Sequence, residues 1–356
     1  MTAALLEYAL FLAKGLTLLI LVLLLVAGIA ALSQRQRKAA HGQIEVRKLN
    51  HEWEQQADIL RHATLSEPAL KLWKKERKQL EKARKKGDVL PKKHIYVIDF
   101  KGDIRASQTR QLREEISAIL AVATAADEVL VRLESSGGMV HAYGFAASQL
   151  DRIRNHGIAL TICVDMVAAS GGYMMACIAN RLLAAPFAMI GSIGVVAQLP
   201  NFHRLLKKHE IDYELLTAGE YKRTLTLFGE NSEKGREKFI EELEETHALF
   251  KHFVTSHRPQ LAIEQVATGE VWYGQKALTH GLIDELMTSD EYLGRQVNEA
   301  DIFKVAYVEK RSLPERMGLS MGQLRQRLGG HLSRPAASMA MAENLSLQQQ
   351  IAGELP

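Results

Sequence analysis

The first pattern in the chain is an uninterrupted apolar run at residues 15–32 (GLTLLILVLLLVAGIAAL), eighteen positions without a charge. About 20 residues at 1.5 Å each cross a hydrocarbon core of about 30 Å. The run therefore predicts one membrane-spanning helix. Leu10 to Ala13 extend it upstream, and Lys14 interrupts it where a long side chain can snorkel to the headgroups. A cleaved signal peptide is the rival reading, with Gly28, Ile29 and Ala30 as a loose cleavage pattern. The length of the run favours a retained anchor.

Beyond it the chain turns polar. Trp53, Ala57, Leu60 and Thr64 fall at helical spacing, and so do Leu70, Trp73, Arg77, Leu80 and Arg84. Two helices are predicted, parted near Ser66, Glu67 and Pro68. Gly87, Asp88 and Pro91 then read as a linker. A regular alternation follows. Strands are predicted at 95–100 (IYVIDF), 128–133 (EVLVRL) and 158–164 (IALTICV), with helices at 108–123 and 140–153 between them. The strands begin about 33 and then 30 residues apart, the size of a βαβ unit. Their continuous apolar character indicates strands buried on both faces, as in a parallel sheet. A short fourth strand is predicted at 181–185, a weaker fifth at 213–217, and a long helix at 235–257 with Phe239, Leu243, Phe250 and Val254 on its buried side. From Arg311 the periodicity is lost, which predicts a mobile tail. The expected organisation is an anchor (1–33), a helical and partly basic region with a linker (34–93), a catalytic domain (94–310) and a tail (311–356).

Composition narrows the class. The 356 residues are 47% hydrophobic and 24% charged, which suits a globular protein. The net charge of +4 is uneven: residues 71–86 carry nine Lys/Arg against two Asp/Glu, so the remainder sums to −3. Charge gathered on one segment argues against a nucleic-acid-binding fold. The basic helix reads either as a solvated face or as a contact with anionic lipid headgroups. Cys163 and Cys177, both in apolar sequence, read as buried free thiols. Arg35, Arg37, Lys38, Arg47 and Lys48 follow the apolar run, and by the positive-inside rule they place the body of the protein in the cytoplasm.

Three glycine-rich turns carry the candidate chemistry: ESSGGM at 134–139, AASGGY at 168–173 and GSIGV at 191–195. The first two follow strands, at the sheet edge where α/β proteins bind ligands. Ser170 stands before two glycines at a helix start. The N–H of Gly171 would be a free donor there, and Gly137 or Gly138 could supply a second. A serine with two such donors suits acyl transfer; the same spacing also suits a plain N-cap with tight turns. The base is open on the residues alone. No Asp–His spacing stands out, and His252 and His257 are five apart, wrong for a helical metal pair. A neutral lysine can serve as base. Lys222 lies in a glycine-containing turn, TAGEYKRT, yet by itself is one surface lysine among many.

Taken together, Ser170 in ASGGY, the GSIGV turn, Lys222 in GEYKR, the ESSGG turn and the later WYGQKALTHGLID segment (272–284) resemble the serine peptidases related to signal peptide peptidase A, over about residues 94–290. The added N-terminal region and apolar run resemble the inner-membrane members. The resemblance implies an α/β fold like that of ClpP and crotonase, with Ser170 as nucleophile and Lys222 as base. Gly171 and one of Gly137 and Gly138 would be the oxyanion donors, and Ser192 the residue that orients the lysine. It implies no cofactor or metal, and peptide or unfolded-protein substrates such as signal-peptide remnants. It also implies a single-pass inner-membrane protein, and a homo-oligomeric ring in which the lysine reaches a neighbour's serine. It favours the periplasmic side for the catalytic domain, against the cytoplasmic side that the charge count indicates. The alternatives are a crotonase-like acyl-CoA enzyme and a non-catalytic membrane scaffold.

Overall fold

A computed structural model describes residues 14–17, 19–21, 23, 42–85 and 92–309. The chain divides into two units, one of residues 44–308 and one of 1–43 with 309–356. In the second, residues 14–17, 19–21 and 23 are helical. Most of the predicted membrane segment, the linker at 87–91 and the tail from Arg311 lie outside the described residues. No helix among the described residues is long and apolar enough to cross a membrane.

The larger unit is a mixed α/β fold on a mainly parallel sheet. Strand β1 (Gln43–Lys48) leads into helices α1 (Leu49–Thr64) and α2 (Glu67–Lys85), which part at Leu65 and Ser66 as predicted. Then come β2 (Lys93–Gly102), α3 (Thr109–Leu120), β3 (Glu128–Ser135), α4 (Val140–Asn155) and β4 (Ala159–Val164). This is the βαβ alternation that the apolar runs foretold. After them follow β5 (Val167–Ala169), α5 (Gly171–Ala176), β6 (Arg181–Ala184), β7 (Met189–Gly191) and α6 (His203–Lys208). The chain closes with α7 (Glu233–His257), α8 (Ile263–Val266), β8 (Val271–Tyr273), α9 (Gly274–Thr279), β9 (Glu285–Leu286), α10 (Ser289–Gln296) and β10 (Ala300–Val308). The main sheet has the order β1-β10-β2-β3-β4-β6-β9. A spur of short strands leaves it where β5 pairs with the end of β3 at Ser135 and Ala168, and continues through β7 to an antiparallel β8.

Both faces of the sheet are covered, which is why its strands read as continuous apolar runs. On one face Ile98, Phe100, Val131 and Ile162 pack beneath Leu112 and Ile116 of α3 and Ala147 and Leu150 of α4. On the other, Val97, Leu130, Cys163 and Leu183 meet Tyr292 and Leu293 of α10. Cys163 and Cys177 are buried free thiols, as predicted, and burial pushes both well above the ordinary thiol range.

The fifth strand predicted at 213–217 does not form. Tyr213, Leu215 and Leu216 are exposed, and no strand edge lies beside them. Six strands went unforeseen, namely β1, β5, β7, β8, β9 and β10. Of α7's predicted buried side, Phe250 and Val254 are buried, while Phe239 and Leu243 are half-buried.

The closing segment is held by a charge in the interior. Arg258, just past α7, is 3% exposed. Its guanidinium donates to Asp284 Oδ1 at 2.6 Å and to the Gly281 carbonyl at 3.1 Å, and the other Asp284 oxygen accepts from the Leu182 N–H at 2.6 Å. One carboxylate thus ties α7, β6 and the entry to β9. Asp284→Ala would leave a buried, unpaired guanidinium, and should destabilise the fold by about 3–5 kcal/mol in denaturant titrations.

Glu115 of α3 is also buried, its Oε1 accepting the Tyr307 N–H at 2.8 Å. Burial, with Asp99 nearby, pushes its carboxyl up from the ordinary 4.5 to about 7. The folded state therefore holds a proton that the unfolded state releases, and stability should fall as pH rises from about 4.5 to about 7. Glu115→Gln should remove that fall, read as a flatter profile of thermal midpoint against pH.

Candidate active site

Strand β5 delivers Ser170 into a backbone conformation that side-chain-bearing residues rarely adopt, φ 54° and ψ −121°. Such conformations cost about 1–3 kcal/mol and persist only where surrounding structure enforces them. Here β5 is clamped between β3 and β7, and the Ser170 N–H donates to the Gly191 carbonyl at 2.8 Å. Ser170 precedes α5, yet its side chain makes no capping hydrogen bond. The plain N-cap reading therefore fails: the hydroxyl is left at the mouth of a cleft.

The ESSGG turn lies directly against it. Gly137 has φ +90°, and a Cβ there would come within 2.7 Å of Ser170 Cβ and 2.8 Å of the Gly171 nitrogen. At Gly138 a Cβ would sit 2.1 Å from the Ile104 carbonyl oxygen. The two glycines differ in what their N–H groups do. That of Gly137 donates to Ser135 Oγ at 3.0 Å. Those of Gly138 and Gly171 have no hydrogen-bond partner among the described residues. Gly171 opens α5, so no earlier helical carbonyl can take its N–H.

Ser135 and Tyr143, which sequence reasoning passed over, hold this turn. Ser135 Oγ is hydrogen-bonded to Tyr143 Oη, which donates to the Asp103 carbonyl at 2.8 Å. The Tyr143 ring also packs against Gly171. Asp103 in turn anchors its own loop: the Ser107 and Arg105 N–H groups hold its carboxyl below the ordinary range. A buried Ser–Tyr pair around a glycine turn leaves no periodic trace, so only a tertiary contact reveals it. The Glu134 side chain pairs with Lys101 at 2.9 Å.

A small cleft with about 10 Å³ of free space opens beside Ser170, lined by Gly138, Val140, Met174, Val195, Thr246 and Phe250 among others. Its walls are apolar apart from the serine, Thr246 and the backbone donors.

The remaining candidates stand apart. Lys222 is exposed in a loop after Gly219, and it is not among the residues lining the cleft. No hydrogen bond or ion pair joins it to Ser170 or Ser192 among the described residues. Ser192 follows β7 with φ 50°, held by its N–H to the Glu270 carbonyl at 2.7 Å. Two Asp–His pairs do exist, although no spacing announced them: His94 Nδ1 lies 3.1 Å from Asp127 Oδ1 at the start of β2, and the other pair has a serine beside it. His257 Nε2 meets Asp151 Oδ1 at 3.0 Å, and its Nδ1 lies 3.1 Å from Ser256 Oγ. Ser256 is helical and donates to the Phe253 carbonyl at 2.7 Å, so this trio links α7 to α4 and presents no strained nucleophile.

Comparison with known proteins gives the class. Residues 3–150 match the N-terminal part of peptidase family S49, and residues 152–302 match peptidase family S49 itself. The chain belongs to this peptidase family, the one its motifs resembled. It is 51% identical to a probable protease SohB of Haemophilus influenzae, over 87% of this chain and 91% of that protein. It is 48% identical to a probable protease SohB of Buchnera aphidicola subsp. Schlechtendalia chinensis, over 81% and 98%. A solved membrane-bound stomatin-specific protease overlaps at a TM-score of 0.38 with 16% identity, over 64% of this chain and 97% of that one, too slight a likeness to argue from.

The two glycines predict different failures. Gly137→Ala would drive a methyl into Ser170 at a positive φ, and should lower stability and turnover together. Gly138→Ala drives its methyl to 2.1 Å from the Ile104 carbonyl oxygen, so it too should lower stability, and by displacing the free N–H it should lower kcat of the folded fraction by roughly 10²-fold or more. Steady-state kinetics with a parallel thermal melt separates the two.

Proposed function

We propose that the chain is a membrane-anchored serine endopeptidase in which Ser170 attacks the peptide carbonyl and the partner subunit's Lys222 takes its proton. One observation carries the reading. Ser170 is held in a strained turn with its hydroxyl uncapped, beside the two unpaired N–H groups of Gly138 and Gly171. Nucleophile and oxyanion donors meet in one cleft, which is the geometry acyl transfer needs.

The steps follow from that geometry. The Oγ–C bond forms as the hydroxyl proton passes to a neutral lysine Nζ, and the carbonyl electron pair moves onto oxygen, between the Gly138 and Gly171 N–H groups. The C–N bond then breaks and the leaving nitrogen takes the proton from Nζ. Water repeats the sequence on the acyl-enzyme and restores the serine. Of the two glycines open at the sequence level, Gly138 is assigned the oxyanion role, because the Gly137 N–H is already spent on Ser135. Ser192, close by on β7's end, is assigned to orient the incoming lysine.

A base from a second copy is supported by the segment that carries Lys222. Between β7 and α7 it exposes Val196, Phe202, Leu205, Leu216 and Tyr221, the first and fourth at 81% and 89%. A run of large exposed apolar side chains marks a surface made for association. A ring of copies would bury it and bring each Lys222 to a neighbouring Ser170, on the ClpP- and crotonase-like fold that the family resemblance implies. The apolar lining beside Ser170 suits flexible, apolar or small-residue peptide segments such as signal-peptide remnants. The apolar run at 15–32 supplies the anchor, and the catalytic unit is assigned to the periplasmic face, since long domains translocate regardless of flanking charge.

Ser170→Ala and Lys222→Ala should each lower turnover by roughly 10³-fold or more, and their losses should not add. Ser170→Ala should also abolish labelling by a fluorophosphonate probe. Mixing the two inactive variants should restore part of the activity, because some sites then pair an intact serine with an intact lysine. Freely exchanging subunits that recover nothing would place both residues in one chain.

A further inference from the structure

The basic run that the catalytic reading leaves unused becomes a defined surface in the structure. Lys71, Lys74, Lys75, Lys78 and Lys82 of α2 are all exposed. At 3.6 residues per turn their spacings fall within about 100° of arc, along about 16 Å of helix axis. None of the five makes an ion pair or side-chain hydrogen bond to another described residue. The opposite side of α2 is occupied. Trp73 lies beneath the Arg61 guanidinium of α1 and that of Arg77, at 5.0 and 5.4 Å, and Arg77 pairs with Glu54 at 3.2 Å and with Asp58. The helix therefore docks through Trp73 and Arg77 and turns its lysines outward. The acidic Glu76 lies off the stripe.

On α2 itself Leu72, 59% exposed, lies at the edge of the stripe about 60° round the helix from Lys75. Lysines beside an exposed aliphatic side chain fit the boundary of a bilayer, where ammonium groups meet phosphates and aliphatic groups enter the acyl region. A nucleic-acid backbone also attracts lysines, but it offers no apolar phase for the exposed Leu72, and the Trp73 ring that would stack on a base is already covered.

We infer that the lysine face of α2, with the exposed Leu72 at its edge, docks on an anionic phospholipid surface. The inference does not rest on the peptidase reading, and the two fail separately. Docking here would fix the height and tilt of the catalytic unit, which an apolar segment alone leaves free.

The test uses the full chain reconstituted into vesicles of phosphatidylcholine alone or with about a third phosphatidylglycerol. A membrane-impermeant amine-acylating reagent is applied and each lysine is read by mass spectrometry. Acylation of Lys71, Lys74, Lys75, Lys78 and Lys82 should slow by about fivefold in the anionic vesicles, while the exposed Lys208 and Lys276 keep their rates. About 1 M salt, where the screening length is about 3 Å, should erase the difference. Equal rates in both vesicles would overturn the inference. So would matching protection in neutral vesicles by inorganic phosphate, which would assign the face to free phosphate, or by duplex RNA, which would assign it to nucleic acid.

Discussion

The backbone of Ser170 is the constraint on which the rest of the site depends. A serine at φ 54° and ψ −121° would relax if its neighbours let it, and each neighbour prevents this. The Gly191 carbonyl holds its N–H, β3 and β7 clamp the strand that delivers it, and Gly137 approaches so closely that no side chain fits between the two turns. The strain of about 1–3 kcal/mol is small against what a buried parallel sheet supplies. Its product is a hydroxyl that caps nothing and an adjacent N–H that nothing accepts. The same rigidity explains why two serines at the ends of paired strands have opposite duties. Ser135, buried at the end of β3, spends its oxygen on Gly137 and Tyr143, and so decides which glycine keeps a free donor.

That local arrangement needs strand ends that do not move, and the packing on both sides of the sheet provides them. The helices α3 and α4 cover one face and α10 the other, so β3 is locked along its length before it reaches Ser135. The last segment of the unit returns to the sheet through β8 and β9. Asp284 joins it to α7, whose residues Thr246 and Phe250 complete the cleft wall. Arg258 is buried while Asp284 reaches the surface, and such a pair contributes little net stability compared with an apolar substitute. Its value lies in fixing where α7 ends.

How much of this the sequence disclosed follows from where each signal originates. Strands β2, β3 and β4 were legible because burial on two faces leaves a continuous apolar run. Strands β5, β7 and β8 are three residues each. Their existence comes from partners far along the chain, so no window of local pattern could find them. In β10, Asp301 and Lys304 interrupt the apolar positions and mask a strand that β2 pairs in parallel register. The opposite error arose at Tyr213, Leu215 and Leu216, which have strand-forming or apolar character without a sheet edge to join. The glycine turns marked this edge of the sheet, but their spacing suited a plain N-cap with tight turns equally well, and only the uncapped Ser170 side chain separates the two readings. The choice between Gly137 and Gly138 was hidden, since it rests on one hydroxyl and one N–H.

Lys222 was visible only through resemblance, and the structure gives a physical reason for that. A residue whose partner lies within its own fold is surrounded by evidence of it, through packing, register and buried hydrogen bonds. Ser170 has all of these and Lys222 has none. It stands in a segment whose apolar side chains face outward, while the cleft it would serve is already built and walled without it. What the subunit does complete by itself is the strained turn: Ser170, its uncapped hydroxyl and the two free N–H groups of Gly138 and Gly171 are fixed by contacts within one chain, whatever lies around Lys222.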